Sequence, residues 1–482
     1  MGFSRGTIAR SLIWKLLERF SVQLVSFVVT IVIARILSPD EYAVIALIAI
    51  FISLGDVLVE GGLGTALVQK KDADNTDFST IFFFSLAAAS VLYLLLFLTA
   101  PAISSFYGQP GLVPVIRVLA LELFLCAANS VQRAYVAKKM LFKQLFKSCL
   151  VAIILSGVVG IWMALSGYGV WALVAQTLSN QLLITVVMWF TVGWRPVAVF
   201  SRASFSRLFD FGWKILTTNF IVTLFVKMRK LVIGKMFAPQ MLAFFDKGEQ
   251  FPSLLMDNVN TAIQSVLLPA FSEDQDNKAR VKQILRRSTM TSCLFIYPMM
   301  FGMMAVARPL VLVLLTEKWL PIVPFIQILC TANFFRPVTI ANLEAIKSLG
   351  YSDITLKLEI IKKIIDVAIL VVSCMFGIYA IAWGIVLYNF ICLFINLYPN
   401  IRLLDYRISE QVVDALPCFL AAAVMGAAVY ALTLLDIAPL ALLLLQFVAG
   451  VSIYVLICEI FGIESYIYLK EIVLNKIRTR QI

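Results

Sequence analysis

The sequence predicts an all-α polytopic membrane protein of about fourteen transmembrane helices, set as two parallel six-helix repeats around a central cavity with a C-terminal helix pair added. Three observations predict it. The chain is 61% hydrophobic with a mean hydropathy of +0.94 and only 14% charged residues, well below the quarter usual in soluble domains. Basic and nearly bare gaps alternate between its apolar runs. Segments of the first part of the chain recur in register further along.

A spanning helix needs about 20 mostly apolar residues. Runs of that length lie near 12 to 36, 42 to 67, 78 to 100, 112 to 134, 148 to 166, 169 to 192 and 211 to 235. Seven more lie near 241 to 270, 289 to 315, 322 to 347, 355 to 376, 379 to 400, 411 to 434 and 438 to 461. Arg5, Arg10, Lys15 and Arg19 lead into the first run with no small-residue cleavage site behind it, so the first helix is expected to be retained.

The basic loops fall on one side of this layout. The N-terminus, Lys70 and Lys71, the run from Lys138 to Lys147, and Arg195, Arg202 and Arg207 share that side. So do the cluster from Lys278 to Arg287, Lys347, Arg402 and Arg407, and the tail with Lys470, Lys476, Arg478 and Arg480. The opposite loops carry only Arg35, Lys235 and Lys318 at their edges. Loops rich in Lys and Arg stay cytoplasmic, so both termini are predicted to be cytoplasmic. Because the net charge of +12 sits in short loops and the tail, anionic lipid is the expected partner and nucleic acid is not.

The repeat sets ILSPDEYA from Ile36 over MFAPQMLA from Met236, and LVPVIRVLALELF from Leu112 over IVPFIQILCTANFF from Ile322. Trp14-Lys15 recurs as Trp213-Lys214. The expected division is 1–200 and 201–402 as six-helix lobes, 403–463 as the added pair and 464–482 as a basic cytoplasmic tail. An even helix number brings both copies in from the same side, and parallel halves of this kind flank a central site and rock about it.

Several chemistries lack their residues. There is no histidine, no GxxxxGK[ST] phosphate loop, and no large outer loop to carry an enzyme's site. The eight cysteines stand singly in apolar runs with no CxxC, as buried reduced filler would. An enzyme is therefore not expected, nor is any cofactor or metal centre.

Ionisable residues at membrane depth are costly, and those that remain are candidates. The cations are Lys227, Arg229 and Lys230 in the seventh span, Arg336 in the tenth and Arg117 in the fourth. Lys227 and Lys230 share a helix face, and Pro337 removes a backbone donor beside Arg336. Arg suits bidentate phosphate contact, so these groups are expected to line a cavity for an anionic head group; snorkelling or internal pairing is the alternative. Arg336 stands as the deepest unpaired cation.

The acids within spans include Asp56 and Glu60, Glu122, Asp257 and Asp366. Asp56 and Asp257 hold nearly equivalent places in the two repeats, where gating or loop capping is the expected use. Glu122 and Asp366 lie deeper and are candidates to bind a coupling H+ or Na+, although Lys362 stands four residues before Asp366 and is placed to pair with it. Gly61, Gly62 and Gly64 are expected to allow close helix packing.

The stretch RGTIARSLIWKLLERFSVQLVSFVVTIVIARILSPDEYA from Arg5, then EGGLGTALVQKKD from Glu60, resembles the start of Wzx-type polysaccharide flippases, colanic-acid-exporter-like members of the multidrug/oligosaccharidyl-lipid/polysaccharide exporter superfamily. The likeness continues through FDKGEQFPSLLMDNVNTAIQSVLLPAFSE from Phe245 and LLTEKWLPIVPFIQILC from Leu314. The resemblance implies alternating-access translocation of an undecaprenyl-diphosphate-linked oligosaccharide across a bacterial inner membrane, from the cytoplasmic to the outer leaflet, with polysaccharide polymerases as partners on the far side. Its competitors are a multidrug cation antiporter, a lipid II flippase and an integral membrane glycosyltransferase.

Overall fold

The structure, a computed structural model, describes residues 5–273 and 277–478, and all of its regular elements there are helices. It divides into two compact units, 1–243 and 244–482.

The first unit holds α1 (Arg5–Ile36), α2 (Pro39–Glu60), α3 (Leu63–Gln69), α4 (Asn75–Tyr107), α5 (Leu112–Leu119), α6 (Glu122–Lys139), α7 (Phe142–Leu165), α8 (Val170–Thr191) and α9 (Arg202–Met236). Local chemistry marks the starts. Ser38 and Glu41 form a reciprocal capping box ahead of α2, with Pro39 in its first turn, and Asp74 and Asp77 form another ahead of α4. Within the unit α1 packs on α7, α7 on α8, and α2 on α6, while α9 lies against α2, α3 and α4. The linker into α9 is pinned by Trp194, whose indole Nε1 donates to Asn75 Oδ1 at 2.5 Å and whose ring meets Phe78 and Phe82.

The second unit holds α10 (Pro239–Glu273, which begins at the end of the first unit), α11 (Lys278–Leu314), α12 (Val323–Asn333), α13 (Arg336–Ser348), α14 (Ser352–Cys374), α15 (Ile378–Leu403), α16 (Ile408–Ala431), α17 (Pro439–Ile460) and α18 (Glu464–Arg478). A polar chain, buried at Asn342, Asn400 and Gln411, half-buried at Arg286 and exposed at Glu464, ties α16 and α18 to the rest. Asn400 donates to Asn342, Asn342 to Gln411, and Tyr406 to Asp414, while Arg286 of α11 bridges Asp414 and Glu464. Much of the expected basic tail is thus helical, and Arg480 lies outside the described residues.

Two of the spans bend in mid-course. The run from Leu112 to Lys139 breaks between α5 and α6, where i→i+3 bonds from Leu121, Leu123 and Phe124 replace the regular ladder. The run from Val323 to Ser348 breaks between α12 and α13, where Pro337 sits in the first turn. Proline is tolerated there because the first amides of a helix have no carbonyl partner.

Among the described residues eleven helical segments are long and apolar enough to cross a membrane, so this is a multi-pass membrane protein. The expectation of about fourteen spans included α9, α10 and α14 as well. All three are long enough, but Lys227, Arg229 and Lys230, then Asp246, Lys247, Glu249 and Asp257, then Glu359, Lys362, Lys363 and Asp366 interrupt their apolar runs. Charges within apolar runs are thus most numerous on these three helices, and others stand on α2, α5, α6 and α13.

Candidate functional site

In the first unit the chain turns from α2 into α3 through Gly61 and Gly62, with φ of 51° and 68°. Glycine adopts this region without steric cost. A Cβ on Gly62 would lie 2.7 Å from both the Gly212 carbonyl oxygen and Ile215 Cβ, so the approach of α9 to this corner also needs the missing side chain.

Just before the corner, Asp56 and Glu60 stand one turn apart on α2. On the facing α6, Glu122, Cys126, Asn129 and Arg133 recur at helical spacing and form one stripe. Arg133 Nη1 lies 3.7 Å from Glu60 Oε1, the Cys126 thiol approaches the same oxygen at 3.9 Å, and Gln181 Nε2 of α8 donates to Glu122 Oε1 at 3.1 Å. Asp56 faces Glu60, Glu122, Cys126 and Arg133. Three of the acids expected from sequence are therefore one cluster, with a single guanidinium among them. Cys126 is part of the cluster and not mere filler.

Three buried groups in this cluster include atoms without a hydrogen-bond partner. They are Asp56 Oδ1, Gln181 Oε1 and the whole amide of Asn129, a residue only 1% exposed. An orphaned buried amide costs about 1–3 kcal/mol. Asn129→Leu, which keeps the volume and removes the polarity, is expected to raise stability by about that amount. Thermal unfolding of the purified variant checks it; lowered stability would show that the amide has a structural partner.

A pocket of about 390 Å³ opens beside the cluster, lined by Glu60, Arg133, Thr65, Ser130 and Asn219, with Gly61, Gly62 and Gly64 leaving its wall low. Asn219 belongs to α9, and Lys227 and Lys230 follow it at eight and eleven residues, on the same stripe of that helix. Lys227, Arg229 and Lys230 are all half-buried.

In the second unit Arg336 opens α13 and is half-buried. Its Nη1 donates to Asn333 Oδ1 at 3.3 Å, and its Nη2 lies 3.9 Å from Asp257 Oδ1 on α10. The expectation of an unpaired cation is thereby corrected. Helix α10 brings an acid to it from far away in sequence. On α14, Lys362 reaches back to Glu359 at 2.5 Å, and Asp366 is buried on the face it shares with Glu359. Arg117 is occupied with packing, its Nε donating to the Phe97 carbonyl at 3.4 Å and its guanidinium stacked 4.1 Å from the Phe97 ring.

Sequence reasoning missed Arg133, Asn129 and Gln181. A signal was present: Arg133 is an ionisable residue inside a predicted span, three turns past Glu122 on the same face.

The model of a family described as polysaccharide biosynthesis protein matches residues 32–324. Among curated proteins, the succinoglycan biosynthesis transport protein ExoT of Rhizobium meliloti (strain 1021) is 25% identical over 313 residues, covering 65% of this chain and 63% of its own. The lipopolysaccharide biosynthesis protein WzxC of Escherichia coli (strain K12) is 22% identical over 378 residues, covering 77% and 76%. The chain thus spans less than two thirds of the length of ExoT, and the same holds for the teichuronic acid biosynthesis protein TuaB of Bacillus subtilis (strain 168), at 62%.

Among solved structures, a lipid II flippase MurJ in an inward closed conformation superposes with a TM-score of 0.75 at 13% identity, over 93% of this chain and 98% of its own. An inward-facing multidrug resistance MATE family transporter of the MOP superfamily follows at 0.60 and 16% identity, over 82% and 98%. The chain shares the fold of both. With more than half of its 482 residues matched by the family model, the chain belongs to the polysaccharide biosynthesis protein family.

Proposed function

We propose that the chain is a flippase that carries a polyprenyl-diphosphate-linked oligosaccharide from the cytoplasmic to the outer leaflet of a bacterial inner membrane by alternating access, for exopolysaccharide or lipopolysaccharide synthesis. The observation that carries this reading is the set of ionisable residues kept at membrane depth, the Asp56, Glu60, Glu122 and Arg133 cluster, Arg336 and the charges of α9, α10 and α14, in a chain with the MurJ fold. A purely lipid-facing helix would not keep such residues. In this reading those three helices also cross the membrane, which gives fourteen crossings, two six-helix repeats with an added pair, and both termini in the cytoplasm.

The parts have distinct work. Lys227 and Lys230 on their shared stripe, with Arg229 nearby, attract the diphosphate in the first unit, and Arg336 at the start of α13 does so in the second, while the polyprenyl tail stays in lipid. Asp257 holds Arg336 in place until an anion competes for it. The membrane potential, about 2.3 kcal/mol per charge per 100 mV, favours outward movement of an anion when the outside is positive. The cluster of Asp56, Glu60 and Glu122 around Arg133 carries more negative than positive charge at membrane depth, a state relieved by a bound H+ or Na+. Coupling is assigned there first, with Asp366 as a second candidate. Undecaprenyl diphosphate is the expected carrier lipid, and a polymerase on the outer face is the expected partner for the product.

Deletion of the gene is expected to make a polyprenyl-linked oligosaccharide accumulate on the cytoplasmic face, identified by mass spectrometry and cleared by a plasmid copy. If no such intermediate builds up in the deletion strain, the flippase reading fails. A multidrug antiporter would instead leave the lipid-linked pool unchanged and alter sensitivity to cationic drugs.

A further inference from the structure

We infer that the pocket between α2, α3, α6 and α9 is a saccharide subsite, one that takes an uncharged, hydroxyl-rich sugar of the transported lipid and keeps its phosphates out. This rests on the flippase reading above and deepens it.

The lining has the chemistry of sugar recognition. Glu60 accepts from hydroxyls and Arg133 donates to them, while Thr65, Ser130 and the amide of Asn219 do both. Glu60 and Arg133 keep 48% and 42% of their side-chain surface exposed, so a ligand reaches them without breaking into the helix packing. Thr65 and Asn219 are exposed as well. At about 390 Å³ the space sits at the lower end of the range for small-molecule sites, about 300–1,000 Å³. It suits a short saccharide and not a lipid chain.

Charge decides what enters. Glu60 and Arg133 are the charged residues of the lining, and Arg133 is already paired with Glu60. A diphosphate or an acidic sugar placed here would have to displace Glu60 from that guanidinium, whereas a neutral sugar bonds to both without parting them. The stripe of α9 separates the functions along its length, since at 1.5 Å per residue Lys227 lies about 12 Å and Lys230 about 16 Å beyond Asn219.

The glycines give the site its room. The Cβ positions of Gly61 and Gly62 are blocked by packing, but one on Gly64 would make only ordinary contacts, at 3.8 Å to Ala134 and 4.0 Å to the Ser130 carbonyl. Gly64 is therefore free to lose its glycine as far as packing goes, and a larger side chain there narrows the pocket.

The test uses the full-length chain in nanodiscs and native mass spectrometry with two probes: undecaprenyl diphosphate, and the oligosaccharide-bearing lipid purified from the deletion strain. Asn219→Leu, an exposed position, is expected to weaken binding of the oligosaccharide lipid about tenfold, roughly 1.4 kcal/mol, and to leave the sugar-free lipid unchanged. Glu60→Gln, which keeps the shape and alters the hydrogen-bond pattern, is expected to act in the same direction. Equal binding of the two lipids by the wild-type chain would overturn the subsite and leave the flippase reading standing. Equal weakening of both lipids in the variants would do the same. Binding of neither lipid by the wild-type chain would remove the reading and the subsite together.

Discussion

Export is expected to fall by roughly a hundredfold in Arg336→Ala, with the protein still inserted in the membrane at the wild-type level. Losing a hydrogen bond made by a charged group costs about 1.5–3 kcal/mol, and a hundredfold corresponds to about 2.7. Arg336 contacts Asn333 and Asp257, so its removal both deletes the cation and takes one cationic neighbour from Asp257. The second effect repels an anionic head group. Two companion variants separate these contributions. Arg336→Lys keeps the charge but loses the forked geometry, and is expected to retain part of the activity. In Arg336→Ala/Asp257→Asn the Asp257 charge is gone as well, so partial recovery is expected if repulsion matters and none if the guanidinium itself binds substrate. Surface polysaccharide and the cytoplasmic lipid-linked pool are the readouts, normalised to protein in the membrane fraction. Normal export by a well-expressed Arg336→Ala chain would remove Arg336 from the site.

Gly62→Ala is expected to destabilise the first unit by about 2–4 kcal/mol, through two costs that act together. The backbone at φ 68° strains any residue with a Cβ, and that Cβ would meet the Gly212 carbonyl oxygen and Ile215 Cβ at 2.7 Å. Neither neighbour is the loose end of a flexible side chain. The carbonyl belongs to α9, so relief requires the helix to move away from the corner. Gly64→Ala, two residues on, is the control. It lacks the positive φ, meets nothing closer than 3.8 Å, and is expected to be close to neutral. Thermal unfolding of the detergent-purified pair, followed by size-exclusion of heated samples, measures the difference. Similar midpoints for the two variants would mean that α9 does not depend on this corner.

The fold was legible because its determinants are local. Apolar runs of the right length, bounded by Lys and Arg, gave helices at 42 to 67, 78 to 100, 148 to 166 and 169 to 192 that the structure places at much the same positions. The packing use of Gly62 could likewise be read, since a Gly-Gly pair closing an apolar run marks a turn where two helices come close. The candidate site was legible only in part. Asp56 and Glu60 declare a shared face by their spacing, but that Glu122 and Arg133 meet them depends on α2 packing against α6 across a long stretch of chain. The same holds for Arg336. Its place beside Pro337 within the tenth span could be read, but its partner Asp257 came from α10, which no spacing rule connects to it. Pairing across helices is set by tertiary contact, and a single sequence does not encode that in any periodicity.

The crowding of charge on α9, α10 and α14 also bears on how the protein is made. An Asp, Lys or Arg near the centre of a helix costs about 2.5–3.5 kcal/mol on the scale by which the translocation machinery admits segments to lipid. Helix α9 carries Lys227, Arg229 and Lys230 within a single turn of one another, and α10 follows at once with Asp246, Lys247 and Glu249. Neither is a good candidate for release into the bilayer alone. If they cross the membrane as proposed, the apolar helices already made are the company they need, since α9 packs against α2, α3 and α4.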